Sequence, residues 1–198
     1  MRQAQRTSAN RERGTWEPHN IKVTKEVYVD YLLSKVIPAI KQKWPDRGLN
    51  RRVRLQQDNA RTHCEADHPD VIADGTVGRW DIRIQQQPHN SPDFNVLDLA
   101  FFRSLQSLQW RLAFPNNKQE LINRVNQAWN EYPVEKVDDA FRSLVLCVDE
   151  AVKERGGNTY TIPHTNKERT RCENNGVLPA RYRASEEACR VYEEMGIL

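Results

Sequence analysis

The stretch that most restricts the fold lies between Val53 and Gln85. In Val53-Arg54-Leu55-Gln56-Gln57-Asp58, Val53 and Leu55 share one face while Arg54, Gln56 and Asp58 share the other. This alternation predicts a short strand ending on a carboxylate. Residues from about 68 to 76 suit a short helix, with Gly75 and Gly78 to end it. Trp80-Asp81-Ile82-Arg83-Ile84-Gln85 alternates again and predicts a second strand. The order strand–helix–strand implies parallel pairing through a helical crossover. Sheets of that kind gather their sites at the carboxyl ends of the strands.

A Pro-rich turn follows, Pro88-His89-Asn90-Ser91-Pro92-Asp93-Phe94, and leads into a helix of about 95–113. Asn95 is a good N-cap, because its side-chain oxygen can accept a backbone N–H of the first turn. At about 100° per residue, Leu97, Phe101, Phe102, Leu105, Leu108 and Leu112 fall in one arc. Asp98 lies inside that arc. A carboxylate facing a core is costly unless it is paired or binds a metal. The alternative is a first-turn Asp stabilised by the helix dipole and water.

Elsewhere the chain reads as helices and turns. Residues 1–23 hold Arg2, Arg6, Arg11 and Arg13 with little apolar content, and read as a basic, disordered tail. Thr24 can cap a helix reaching about Trp44, with Val27, Tyr31, Val36 and Ile40 near one face and Leu32 and Leu33 widening it. Pro38 should kink or break it, and Trp44 to Gly48 reads as a stop and turn. Asn117 can cap a helix whose stripe is Leu121, Val125, Ala128 and Trp129. Another runs from Val134 to about Glu154 through Val137, Phe141, Leu144, Val145 and Val148, and Gly156-Gly157-Asn158 ends it. Residues 158–184 look irregular. Ser185 can cap a last helix with Ala188, Val191, Tyr192 and Met195 on its apolar side. The divisions expected are 1–23, 24–157 and 158–198.

A chain of 198 residues is long enough for one domain with a real core. Its formal net charge is +3, its pI about 8.7 and its mean hydropathy −0.83. This balance permits nucleic-acid contact without requiring it. No apolar run approaches a membrane span and no signal peptide precedes the first periodic segment, so a soluble intracellular protein is expected. Cys64, Cys147, Cys172 and Cys189 show no spacing of a disulfide framework. His63, Cys64 and His68 lack the second ligand pair of a structural zinc site.

Gln56-Gln57-Asp58-Asn59-Ala60-Arg61-x-His63, then Ser91-Pro92-Asp93-x-Asn95, then Leu97-Asp98, resembles the catalytic core of Tc1/mariner-type transposases. Thirty-nine residues separate Asp58 from Asp98, the spacing of the plant-type mariner-like group. The resemblance extends through Val23 to Tyr28, Val36 to Ile40, Gly157 to His164 and Gly176 to Pro179. It implies an α/β chain with a truncated RNase H-like fold and a helical C-terminal extension. It also implies that Asp58 and Asp98 match the second and third catalytic carboxylates, converging on Mg²⁺ or Mn²⁺. Asp93 is the rival for Asp98 and reads as a turn residue. His63 and Asn59 read equally well as local hydrogen-bonding residues of the loop or as substrate-positioning ones. Such chemistry uses two divalent ions about 4 Å apart.

The implied partners are DNA and, optionally, a second copy of the chain, with no membrane and no small-molecule substrate. The implied location is the nucleus. The family's first catalytic aspartate lies on a strand upstream of the region matching Val23 to Tyr28. Before position 46 the acidic residues are Glu12, Glu17, Glu26 and Asp30, and none ends an apolar strand. A helix-turn-helix region is likewise absent. We therefore expect a transposase-derived fragment, inactive alone. The alternative is a domesticated, non-catalytic DNA-binding or protein-interaction module.

Overall fold

A computed structural model describes residues 1–9, 11–44, 52–111, 114–179 and 181–196. The chain is mixed α/β and forms two compact units, residues 1–90 and 91–198. The division falls inside the expected 24–157 segment. The turn read at Trp44 to Gly48 and the arc position Leu112 lie wholly or partly outside the described residues.

In the first unit, β1 (Arg2–Gln3) pairs antiparallel with β2 (Trp16–Glu17). Most side chains of this segment are exposed, Ala4 being buried. Helix α1 (Lys25–Tyr31) continues through a π turn (Leu32–Val36) into α2 (Ile37–Lys43). Thr24 caps it as expected, its Oγ1 accepting the Val27 N–H at 3.4 Å. Pro38 has no N–H, and its ring crowds the carbonyl four residues earlier. The chain accommodates it without breaking, by widening the turn just upstream so that the Ile37 N–H reaches back to the Leu32 carbonyl. That extra residue moves the buried face. Leu32 and Ile37 are buried, with Tyr28, Val29, Leu33 and Ile40 packed beside them. Tyr31 and Val36, expected on that face, are exposed.

β3 (Arg52–Gln57), α3 (Pro69–Thr76) and β4 (Asp81–Gln86) follow the order read from the sequence. β3 and β4 are parallel, with Val53 opposite Ile82 and Leu55 opposite Ile84. These residues face the core with Leu32, Ile37, Cys64 and Val71. On the other face, Asp81 receives Arg54 Nη2 and Arg83 Nε, each at 3.0 Å. Gly75 is buried in the last turn of α3, where an added Cβ would stand 2.5 Å from the Ile82 carbonyl oxygen. The helix lies so close to β4 that only hydrogen fits there. The positive φ that closes this turn falls on Gly78 and Arg79.

The second unit is helical. A 3₁₀ turn (Pro92–Phe94) and a π turn (Leu97–Phe101) lead into α4 (Phe102–Trp110). Then come α5 (Lys118–Asn130), α6 (Val134–Lys153), α7 (Lys167–Glu173) and α8 (Glu186–Glu194). Asn117 and Ser185 cap α5 and α8 as read. Phe101 packs against Trp129 and Tyr132, with ring centres 5.7 and 5.0 Å away. Along α6 the buried line is Ala140, Cys147 and Ala151, while Phe141, Val145 and Val148 are exposed. Small residues thus hold the buried line of α6 that the larger apolar residues were expected to fill. α6 ends with the Gly156 N–H on the Ala151 carbonyl and the Arg155 N–H on that of Val152. This is a two-bond C-terminal cap, with Arg155 at φ 51° and Gly156 at φ 89°.

Candidate functional site

Asp58 directly follows β3, at the carboxyl end of the parallel pair. Its Oδ1 accepts the Ala60 N–H at 2.9 Å, folding the loop back on itself, and lies 2.9 Å from His63 Nδ1. Among the described residues no hydrogen bond falls on Oδ2. The His63 ring stacks on Tyr28, centres 4.5 Å apart. Tyr28 Oη donates to Gln57 Oε1 at 2.9 Å, and Gln57 Nε2 donates to the Cys64 carbonyl at 2.6 Å. Burial raises the Tyr28 phenol above its ordinary range, with negative charge at Cys64 and Asp58 adding to this, so it stays a donor. Asn59 Nδ2 donates to the Gln87 carbonyl at 2.9 Å. Asn59 and His63 thus take up the local hydrogen-bonding role in holding the loop.

A polar cleft of about 190 Å³ opens beside Asp58, lined also by Lys25, Arg61, His63, Glu65 and Gln86. Lys25 Nζ and Glu65 Oε1 meet at 2.9 Å across its rim. Their mutual hydrogen bond raises the Lys25 ammonium and lowers the Glu65 carboxyl, their opposite charges adding to both shifts.

Asp98 belongs to the second unit, in the first turn of its helical run. It does not face a core: the side chain is exposed, and Asn95 Nδ2 donates to its Oδ2 at 2.7 Å. Asn95 Oδ1 meanwhile accepts the Leu97 N–H at 3.1 Å, the capping role read from the sequence. The π turn explains the difference. The Phe102 N–H reaches back five residues to Leu97, which turns both of those apolar side chains outward with Asp98.

Asp93 sits in the 3₁₀ turn and accepts the Tyr160 hydroxyl. Tyr160 is not among the site residues that the sequence points to, although both segments carry motif residues. Their separation of 67 residues hides such a contact from local pattern.

Among the described residues, no three His, Cys, Asp or Glu side chains are grouped to hold one metal ion. Cys64 is buried, which raises its thiol pKa. Mg²⁺ asks for less, since one or two carboxylates completed by water and phosphate oxygens suffice. Asp58, with one oxygen that accepts no hydrogen bond among the described residues, beside a polar cleft, fits that requirement as a single hard ligand. No helix among the described residues is long and apolar enough to cross a membrane. Comparison with family models, with curated proteins and with solved structures finds no match.

Proposed function

We propose that the chain derives from a Tc1/mariner-type transposase and keeps part of an RNase H-like fold with a helical extension. Its ancestral chemistry is metal-dependent DNA strand cleavage and transfer. The observation that carries this is the parallel β3–α3–β4 unit with Asp58 at the carboxyl end of β3, its carboxylate braced on one oxygen and open on the other. The paired motif around Asp58 and Asp98 supports it independently. Asp58 and Asp98 are the side chains we assign to Mg²⁺ or Mn²⁺. When bound, such ions activate the attacking oxygen and stabilise the leaving one. The Ala60 N–H and His63 hold the Asp58 carboxylate in one orientation, and Arg61 brings positive charge to the cleft.

The chain alone is expected not to cut DNA. This chemistry uses three carboxylates, and the resemblance assigns two of them, Asp58 and Asp98. A missing metal-binding group costs orders of magnitude in rate. The test pairs supercoiled-plasmid nicking with Mn²⁺ binding, for the native chain, Asp58→Asn and Asp98→Asn. We expect no nicking, and weak Mn²⁺ binding that each substitution lowers. Nicking abolished by both substitutions would overturn the inactivity. Mn²⁺ binding indifferent to both would overturn the site, and Asp93 would be tested next.

A non-catalytic interaction module is the second reading. The exposed apolar face of α5, with Trp129 61% exposed beside Leu121, Ile122 and Val125, favours it. Retention of a partner protein by Asp58→Asn and the native chain alike would support it.

A further inference from the structure

The face between α6 and α7 gathers four cations, of which only two reach a carboxylate among the described residues. α6 presents Lys136, Asp139, Arg142 and Ser143 at positions i, i+3, i+6 and i+7, and α7 presents Lys167 and Arg171 at i and i+4. Arg171 Nη2 donates to Asp139 Oδ1 at 2.6 Å and to the Glu135 carbonyl at 2.8 Å. Lys136 Nζ stands 3.5 Å from Asp139 Oδ2. Lys167 Nζ instead donates to a neutral acceptor, Ser143 Oγ, at 2.7 Å. The Arg142 guanidinium lies over the Tyr182 ring, 3.7 Å from its centre. Among the described residues, neither Lys167 nor Arg142 has a carboxylate partner. Lys136 and Arg171 therefore share one carboxylate, and the other two cations have none among the described residues.

Lys167 feels this imbalance. Burial lowers its ammonium below the ordinary lysine range; Asp139 opposes the shift, and the like charges of Lys136, Arg171 and Arg142 deepen it. A half-buried cation among like charges gains from an anion that brings its own acceptor oxygens. Arg142, held flat by Tyr182, keeps guanidinium edges for planar or forked contacts to oxygen.

We propose that Lys136, Arg142, Lys167 and Arg171 form a phosphate-binding site that takes the backbone of duplex DNA. The imbalance of charge supports a phosphoryl ligand by itself; the choice of DNA rests on the transposase-derived reading. Two cations on each helix give the face the several point charges that a backbone contact uses, and none of them needs to read a base.

The test measures binding of a labelled random-sequence duplex by fluorescence anisotropy across a salt series. The native chain is compared with Lys136→Gln, Arg142→Gln and Lys167→Gln. Arg171 and Asp139 stay intact because they tie α7 to α6. Each lost phosphate contact should lower the log–log salt slope by about 0.9 and weaken binding alike on unrelated sequences. Lys136 is largely exposed, so its variant reports on charge without disturbing packing. Thermal melts confirm that the other two fold. Unchanged slopes in all three folded variants would overturn the proposal. So would inorganic phosphate stabilising the native chain in a Lys167-dependent way while duplex binding stays unaffected, which would mark a site for the free ion. Mn²⁺ binding by the native chain and by Asp58→Asn is measured in parallel, without DNA. This arm keeps failure here apart from failure of the metal-site assignment, which Mn²⁺ binding reads.

Discussion

Gln57 shows what a single buried polar residue demands. At 7% exposure its amide must be paired at both ends, and Tyr28 and the Cys64 carbonyl supply the partners. Tyr28→Phe keeps the ring against His63 but orphans Gln57 Oε1. A buried unsatisfied acceptor costs about 1–3 kcal/mol, so the urea midpoint should fall with an unchanged slope. An unchanged midpoint would show that water replaces the hydroxyl freely. Asp149 makes a prediction that depends on pH. Burial raises its carboxyl pKa, but the Ser185 N–H at 2.8 Å and Lys153 at 3.2 Å outweigh this and hold it below the ordinary value. A depressed folded pKa contributes stability that is present above the unfolded value, about 3.9, and is lost as pH falls through the folded one. Asp149→Asn should therefore cost about 1 kcal/mol at neutral pH and flatten the acid limb of stability. Parallel acid limbs in urea titrations at several pH values would refute the linkage. At this scale the sequence was legible where the signal is local. Asp58 at a strand end and Asp98 in a first helical turn needed only alternation and a cap. The exposure of Asp98 was one of two readings left open, and a π turn decides it; the Asp93–Tyr160 contact did not show, because it joins remote segments.

At the scale of elements, the caps were the most readable features, since Thr24, Asn117 and Ser185 each act within three residues. The apolar stripes were less so. A period of 3.6 residues fails wherever a turn takes one extra residue, as at Leu32–Val36 and Leu97–Phe101. α7 passed unnoticed because Lys167–Glu173 has almost no apolar content; its signals are the Asn166 cap and the Arg169–Glu173 pair at i, i+4. The α3–β4 contact offers the sharpest test of the crossover. Gly75→Ala puts a methyl 2.5 Å from the Ile82 carbonyl oxygen, which is backbone and cannot swing aside. The helix must lift from the strand, and overpacking of that kind costs about 1–3 kcal/mol. Helix propensity alone would favour Ala over Gly by up to about 1 kcal/mol. The two effects oppose, and the steric one should win, lowering the melting temperature by several degrees. A rise in melting temperature would mean that α3 rides higher on β4.

For the molecule as a whole, the unsatisfied surfaces matter most. Parallel sheets are ordinarily covered on both faces and built from more than two strands. Here β3 and β4 pair only with each other among the described residues, so within those residues the sheet has two strands and two edges. Arg52, Arg54 and Arg83 add charge along these strands, which discourages edge pairing without removing the groups that pair. The second unit adds apolar surface, with Phe114 90% exposed and Trp110 73%. Open edges and exposed aromatics both favour association, one through hydrogen bonds and the other through area removed from water. We predict that the purified chain self-associates as its concentration rises, and that added salt strengthens this by screening the arginines. Sedimentation velocity over a wide concentration range, at low and at moderate salt, measures it. Edge pairing should persist when Trp110 and Phe114 are changed to Ser, whereas association through apolar area should drop. A strictly monomeric chain that melts in one cooperative transition at every concentration would show that the strand edges are protected, and would count against an incomplete sheet.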